Sequence, residues 1–215
     1  MSVRLPDGAT VALATAYGSA ITVSALTNAN PPVATATAHG LTDGDLVVVT
    51  SNWSKINDRV VRVDASDVNT FAYEGIDASS TTLYPAGSGT GSVMEITTWT
   101  PITQILEFTG SGGDQQFANY SFLEDDFESQ LPTVTSAQSI AIGIADDDTL
   151  AGYIALKAAS EARAVRALKV TLPNGSVLLY NGYVTFNETP TMSKGQVMQV
   201  RATLSLKNKP VRYSA

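Results

Sequence analysis

Cysteine is absent from the 215 residues, histidine occurs once, and only 15% of the side chains carry a charge. Without cysteine there is no disulfide, no thiolate nucleophile and no Cys-type zinc site. The single histidine, His39, stands beside Gly40 in a turn, where a polar side chain on a tight loop is the plain reading. A Ser-His-Asp triad would need it, yet no Gly-x-Ser-x-Gly elbow presents a serine. No Gly-Lys pair occurs, which removes the Walker phosphate cradle, so Gly87, Gly89 and Gly91 in GSGTG read as flexible turn residues. No apolar run approaches the ~18–20 residues of a membrane span. The opening MSVRLPDGATVALATAYGS also lacks a basic start followed by an apolar stretch. The expectation is a soluble, unexported protein without a membrane partner.

Apolar residues make up 44% of the chain, enough to bury a core. The net charge of −7 argues against sequence-specific nucleic-acid binding, which calls for a basic face toward phosphates. That charge is unevenly distributed. Residues 1–92 carry 4 basic and 8 acidic groups, residues 93–148 carry 0 and 10, and residues 149–215 carry 9 and 2. An acidic middle is followed by a basic end.

Short alternating runs between turn residues predict an antiparallel β-sandwich or barrel with one flanking helix. Residues 1–26 read as an N-terminal arm leading into a short strand. Residues 27–92 read as a small inserted β module: VATATAHGLTDGDLVVVTS is strand, turn, strand, and RVVRVD and NTFAYEGI are two more strands. The remaining core then comprises residues 1–26 and 93–215. Within it, PITQILEF at 101–108 is predicted as a core strand. The following stretch, about 109–135, is too long for an ordinary hairpin loop. Its Phe117, Tyr120, Phe122, Leu123 and Phe127 argue against disorder, so something should cover those rings. A helix is predicted at about 147–160, capped by Asp146, Asp147 and Asp148, with Leu150, Tyr153, Ile154 and Ala158 on its apolar stripe. Pro173-Asn174-Gly175 predicts a hairpin turn. In QVMQVRATLSL, Met198, Val200, Ala202, Leu204 and Leu206 alternate with polar residues, the pattern of a half-buried strand.

Glu124, Asp125, Asp126 and Glu128 are the most tempting candidates for chemistry, as a glycosidase pair or calcium ligands. They lack the Asp-x-Asp-x-Asp-Gly spacing, and a solvated or interface surface is the simpler reading. No catalytic, cofactor-binding or metal-binding residue is assigned, and no cofactor is expected.

The run from Trp99 to Ser214 resembles the major tail tube proteins of siphophages. The likeness rests on WTPITQILEFTGSGGDQQFANYSFLEDDFESQLPTVTSAQSIAIGIADDD, LPNGSVLLYNGYVTFNE and QVMQVRATLSLKNKPVRYS, in the order core strand, acidic arm, strand, helix, hairpin, final strand and basic tail. TAHGLTDGDLVVVTSNW and YPAGSGTGSV are similar to a small module that some tail proteins carry. The resemblance implies a non-enzymatic structural subunit in the virion tail, assembled in the host cytoplasm. Six copies would form a ring, and rings would stack into a tube through which DNA passes unread. Tape measure, tail terminator and baseplate proteins are the further partners implied. A baseplate or other tail structural protein on the same fold is the second reading, and a soluble ligand-binding or hydrolytic β domain is a distant third.

The charge division then suggests where copies meet. The arm carrying Phe117, Tyr120, Phe122, Leu123, Glu124, Asp125, Asp126, Phe127 and Glu128 would cross to a neighbour. Lys194, Arg201, Lys207, Lys209 and Arg212 would be its basic complement. An intramolecular cover over the sheet is the alternative for the same arm.

Overall fold

The computed structural model describes residues 7–215, so the first six residues of the expected N-terminal arm lie outside the described residues. The N-terminal half comprises β1 (Thr10–Tyr17), β2 (Ile21–Val23), β3 (Ala25–Leu26), β4 (Val33–Thr35), β5 (Leu46–Ser51), β6 (Val60–Asp64), β7 (Thr70–Tyr73) and β8 (Gly91–Ile102). Then come β9 (Ile105–Ser111), β10 (Gln115–Tyr120), β11 (Ser129–Thr135), β12 (Ser139–Ala145) and α1 (Ala151–Glu161). The chain closes with β13 (Val165–Thr171), β14 (Val177–Thr191), β15 (Gln199–Leu206) and β16 (Val211–Tyr213).

The protein is mainly β, as its alternation and turn residues predict: a curled antiparallel sheet in the order β3-β4-β7-β6-β5-β8-β1-β13-β14-β15-β12-β9, with one helix against it. β2 pairs with β8 and β16 with β14, while β10 and β11 form a separate hairpin. The Pro-Asn-Gly turn joins β13 to β14 as its residues predict. Leu172 N–H donates to the Ser176 carbonyl at 2.9 Å, and Gly175 takes the φ of +83° that glycine tolerates best. In β15 the expected alternation is observed from Val200 to Ser205, with Val200, Ala202 and Leu204 buried and Arg201 and Ser205 exposed, whereas Met198 precedes the strand and is exposed and Leu206 is half-buried.

Three local expectations are corrected. First, TVALATAY is β1, a central strand between β8 and β13, because Val11 and Leu13 pack on one face of the sheet and Ala14 on the other. Secondly, PITQILEF is not one core strand. The chain breaks at Gln104, whose φ is +56°, and β9 beyond it is the outermost strand with almost every residue exposed. Thirdly, α1 begins at Ala151 with Leu150 as an uncapped N-cap, so the three aspartates do not cap it. Asp147 instead closes a turn ahead of the helix, accepting from Thr149 N–H at 3.1 Å and from its hydroxyl at 2.6 Å. Those bonds hold its carboxyl below the usual aspartate range.

The helix face is also rotated from the predicted stripe: Gly152, Tyr153, Leu156 and Ala159 are buried, while Ile154 and Ala158 are exposed. Tyr153 stacks edge-on against Phe186 of β14, with centroids 4.8 Å apart. A methyl group on Gly152 would lie 2.8 Å from the Pro101 carbonyl oxygen, so the helix sits close on β8 because that position is bare.

A second apolar cluster unites Trp53, Phe71, Tyr73, Ile56, Val47 and Val93, and its members run from Val23 to Val93. Gly89 belongs to this packing rather than to a flexible loop: it is buried, and an added methyl would meet Trp53 at 2.7 Å and Leu26 at 2.8 Å. A third cluster, with Ala14, Ala167 and Leu179 on one side and Val48, Val60 and Ile96 on the other, joins this region to the rest of the sheet. The expected basic tail contributes to that junction, since β16 buries Val211 and Tyr213 there. Asn208 adds a side-chain bond to the Asn57 carbonyl at 2.7 Å, and Lys207 pairs with Asp58 at 3.0 Å.

Candidate assembly surfaces

The stretch expected to be an arm is a two-stranded hairpin. Tyr120 lies opposite Ser129 and Phe117 opposite Pro132, with a register shift toward Gln115. Its root is fixed by the Ser136 hydroxyl, which accepts the N–H groups of Gly113 and Asp114 at 3.0 Å. Beyond the root every residue from Asp114 to Glu128 is exposed. Phe122 is 61% exposed, Phe127 76% and Leu123 fully so. Tyr120 and Phe122 meet edge-on with centroids 5.7 Å apart, and both remain exposed.

Glu124, Asp125, Asp126 and Glu128 stand beside these residues in the chain and are exposed as well. The ion pairs among the described residues are Arg62–Glu74, Lys157–Glu188 and Lys207–Asp58, so none of these four acids is in one. The basic residues fall in different places. Lys207 is engaged within the chain by Asp58, and Arg212 lies on the exposed side of β16. Lys194 is exposed in the loop between β14 and β15, and Lys209 is exposed just before β16. Arg201 points from the face of the sheet opposite the helix, in a row that runs Asn187, Arg201, Gly143, Glu107 across four strands.

That face is a further feature, and composition did not disclose it. The neighbouring rows are Thr185, Thr203, Ala141, Thr109 and Tyr183, Ser205, Ser139, Ser111. Apart from Tyr183, side chains in these two rows are small and mostly hydroxylic, and Ser111 and Ser139 share a hydrogen bond at 2.9 Å. The helix packs on the opposite face, where Ile140, Ile142, Val184, Val200 and Ala202 are buried. At its margin β9 leaves one strand edge unpaired, flanked by exposed Leu106 and Phe108. An open strand edge presents N–H and C=O groups to any strand that can reach it. The alternation of Leu106 and Phe108 was the signal for this edge, but it reads equally well as a core strand.

His39 lies away from all of this and is satisfied locally. Its Nδ1 accepts Leu41 N–H at 3.1 Å, its Nε2 faces the Thr70 carbonyl at 3.3 Å, and its ring lies edge-on to Phe71. Among the described residues no group of three His, Asp or Glu side chains could hold a metal ion. No described helix is long and apolar enough to cross a membrane.

A family described as phage tail tube protein, TTP, matches residues 51–215. The chain belongs to this family. The match takes in the hairpin, the hydroxyl-lined face and β9, so these are features of a structural protein of phage tails. It begins inside the Val23–Val93 cluster. No curated protein matches the chain. Among solved structures, a chain of the six-fold symmetrised anti-feeding prophage baseplate, determined by cryo-electron microscopy, is similar at 9% identity and a TM-score of 0.37. That alignment covers 55% of this chain and 86% of the other.

Proposed function

We propose that the protein is the building block of a phage tail tube, polymerising as stacked hexameric rings around a lumen for the genome, and that it has no enzymatic role. The observation that carries this reading is the uncovered β10–β11 hairpin. A lone two-stranded hairpin is marginal in water, and exposed Phe122, Leu123 and Phe127 add an apolar liability that a second copy would remove. Aromatic side chains supply large buried area at such contacts. The open edge of β9 offers a second contact of the same kind, by main-chain pairing. Both are heterologous, one surface against a different one, which is what closes a ring or extends a stack.

In this arrangement the hydroxyl-lined face of β14, β15, β12 and β9 faces the lumen. Apart from Arg201, which shares its row with Glu107, the side chains of this face are neutral and give phosphates few cations to hold, so DNA would pass without being bound or read. Tape measure, tail terminator and baseplate proteins are the expected partners in the virion, after assembly in the host cytoplasm. Negative-stain microscopy of concentrated protein tests the reading: six-fold rings or tubes are expected, and a protein that stays monomeric at every concentration would overturn it.

A further inference from the structure

The register of β12 separates two features of opposite charge. At one end of the β12–β15 ladder Ala145 lies opposite Gln199, and Asp146 N–H donates to the Met198 carbonyl at 3.0 Å. Asp146, Asp147 and Asp148 stand at this end. They do not cap the helix, and none is in an ion pair among the described residues. At the other end Ser139 lies opposite Ser205, and Leu206 N–H donates to the Gln138 carbonyl at 2.9 Å. There an open cleft of about 650 Å³ lies between the hairpin root, with Gln115, Ser136 and Gln138, and the segment Lys207, Asn208, Lys209. At ~3.4 Å per residue the ladder holds these ends roughly 20 Å apart.

We infer that this cleft is a docking site for a second copy of the chain, which inserts its Asp146–Asp148 turn against Lys209. The inference rests on the assembly reading above and adds to it the contact that runs along the strands from one copy to the next. Both partners are held in shape before they meet. Asp147 is tied to Thr149, and Lys207 on the cleft wall is tied to Asp58, so little ordering is lost on contact. Lys209, exposed and outside the ion pairs of the described residues, supplies the free cation. The hairpin acids are the competing occupant, but they stand on an element that springs from the cleft's own wall. The aspartate turn lies at the far end, where a head-to-tail contact repeats without closing on itself.

The absence of cysteine makes the test clean, since any disulfide must come from introduced residues. Asp148→Cys with Lys209→Cys, assembled and mildly oxidised, is expected to give a ladder of covalent oligomers. Asp125→Cys with Lys209→Cys is expected to give none. A ladder from the second pair alone assigns the cleft to the hairpin and overturns the inference. Assemblies visible by microscopy without either ladder also overturn it, while leaving the tube reading intact. If no variant, nor the native chain, assembles, the tube reading falls and takes this inference with it. As an independent measure, Asp148→Lys and Lys209→Asp should each cause a loss of pelletable polymer, and the two together should restore it. Two singles that sediment like the native protein would count against the contact.

Discussion

The Tyr213 hydroxyl accepts the backbone N–H of Arg62 at 2.8 Å, while the Arg62 guanidinium lies over the Tyr213 ring at 4.4 Å. The same hydroxyl donates to the Glu74 carbonyl at 3.0 Å, and Glu74 in turn takes a two-point ion pair from Arg62. One side chain near the C-terminus therefore fastens β6 and the end of β7 to the rest of the sheet. Tyr213→Phe should leave an N–H and a carbonyl unpartnered in a half-buried place, at a cost of about 1–3 kcal/mol. Denaturant unfolding should show a lower midpoint with an unchanged slope. An unchanged midpoint would mean that water replaces the hydroxyl without loss.

The same junction gives a pH dependence with two sides. Hydrogen bonds from Arg62 hold the Glu74 carboxyl below its ordinary value. Its contribution is thus present above the unfolded carboxylate pKa and is lost as pH falls through the folded one. Burial raises the phenols of Tyr17, Tyr73, Tyr180 and Tyr213. Their contribution is complete below the ordinary tyrosine value and is lost as pH rises beyond it. Melting temperature against pH should therefore be level near neutrality and fall on both sides, with the alkaline fall beginning only above about pH 10. An alkaline fall that begins near pH 8 would point to some other group.

Much of the architecture is legible in local chemistry. The Pro173-Asn174-Gly175 turn and the Val200–Leu204 alternation in β15 need nothing beyond neighbouring residues, and both are found as read. Features decided by distant partners are not legible in this way. β1 is rich in alanine and reads as a short strand after an arm, yet Val11 and Leu13 fill one core and Ala14 another, on the two faces of the sheet. β16 is three residues long and has meaning only beside β14. Asp146–Asp148 satisfy every local rule for a cap, but the helix starts later, where Gly152 can approach Pro101. The hairpin's aromatics and acids are conspicuous in sequence, whereas the hydroxyl face emerges only when four strands are laid in register.

Close approach of the helix gives the next expectation. Gly152→Val would drive side-chain carbon into the Pro101 carbonyl and Ile102 Cα, atoms of the backbone that cannot rotate away. Overpacking of this kind costs about 1–3 kcal/mol, more than the gain in helix propensity over glycine. Thermal unfolding should occur several degrees lower. A variant as stable as the native protein would show that the helix can slide outward freely.

Assembly and folding should separate at the hairpin. Phe122→Ala with Phe127→Ala removes rings that touch almost nothing of the body, so monomer stability should change by no more than about 0.5 kcal/mol for each. Rings and tubes should be lost from micrographs of the same preparation. A double variant that melts much lower yet still polymerises would place these rings in the folded core of the monomer.

Salt should then tell whether charge or apolar contact dominates between copies. The acids of the hairpin and of the Asp146–Asp148 turn, and the exposed cations Lys194, Lys209 and Arg212, lie outside the ion pairs of the described residues, so their attraction would act between protomers. Such exposed pairs give only ~0–1 kcal/mol each, and at physiological ionic strength they are screened beyond ~8 Å. Repetition around a ring would still make their sum felt. Sodium chloride should therefore lower the polymer yield measured by sedimentation. Ammonium sulfate at high concentration should act the other way, because it strengthens apolar association while screening the same charges. If chloride leaves the yield flat and only sulfate raises it, then Phe122, Leu123 and Phe127 carry the contact and the charge division along the chain contributes nothing to it.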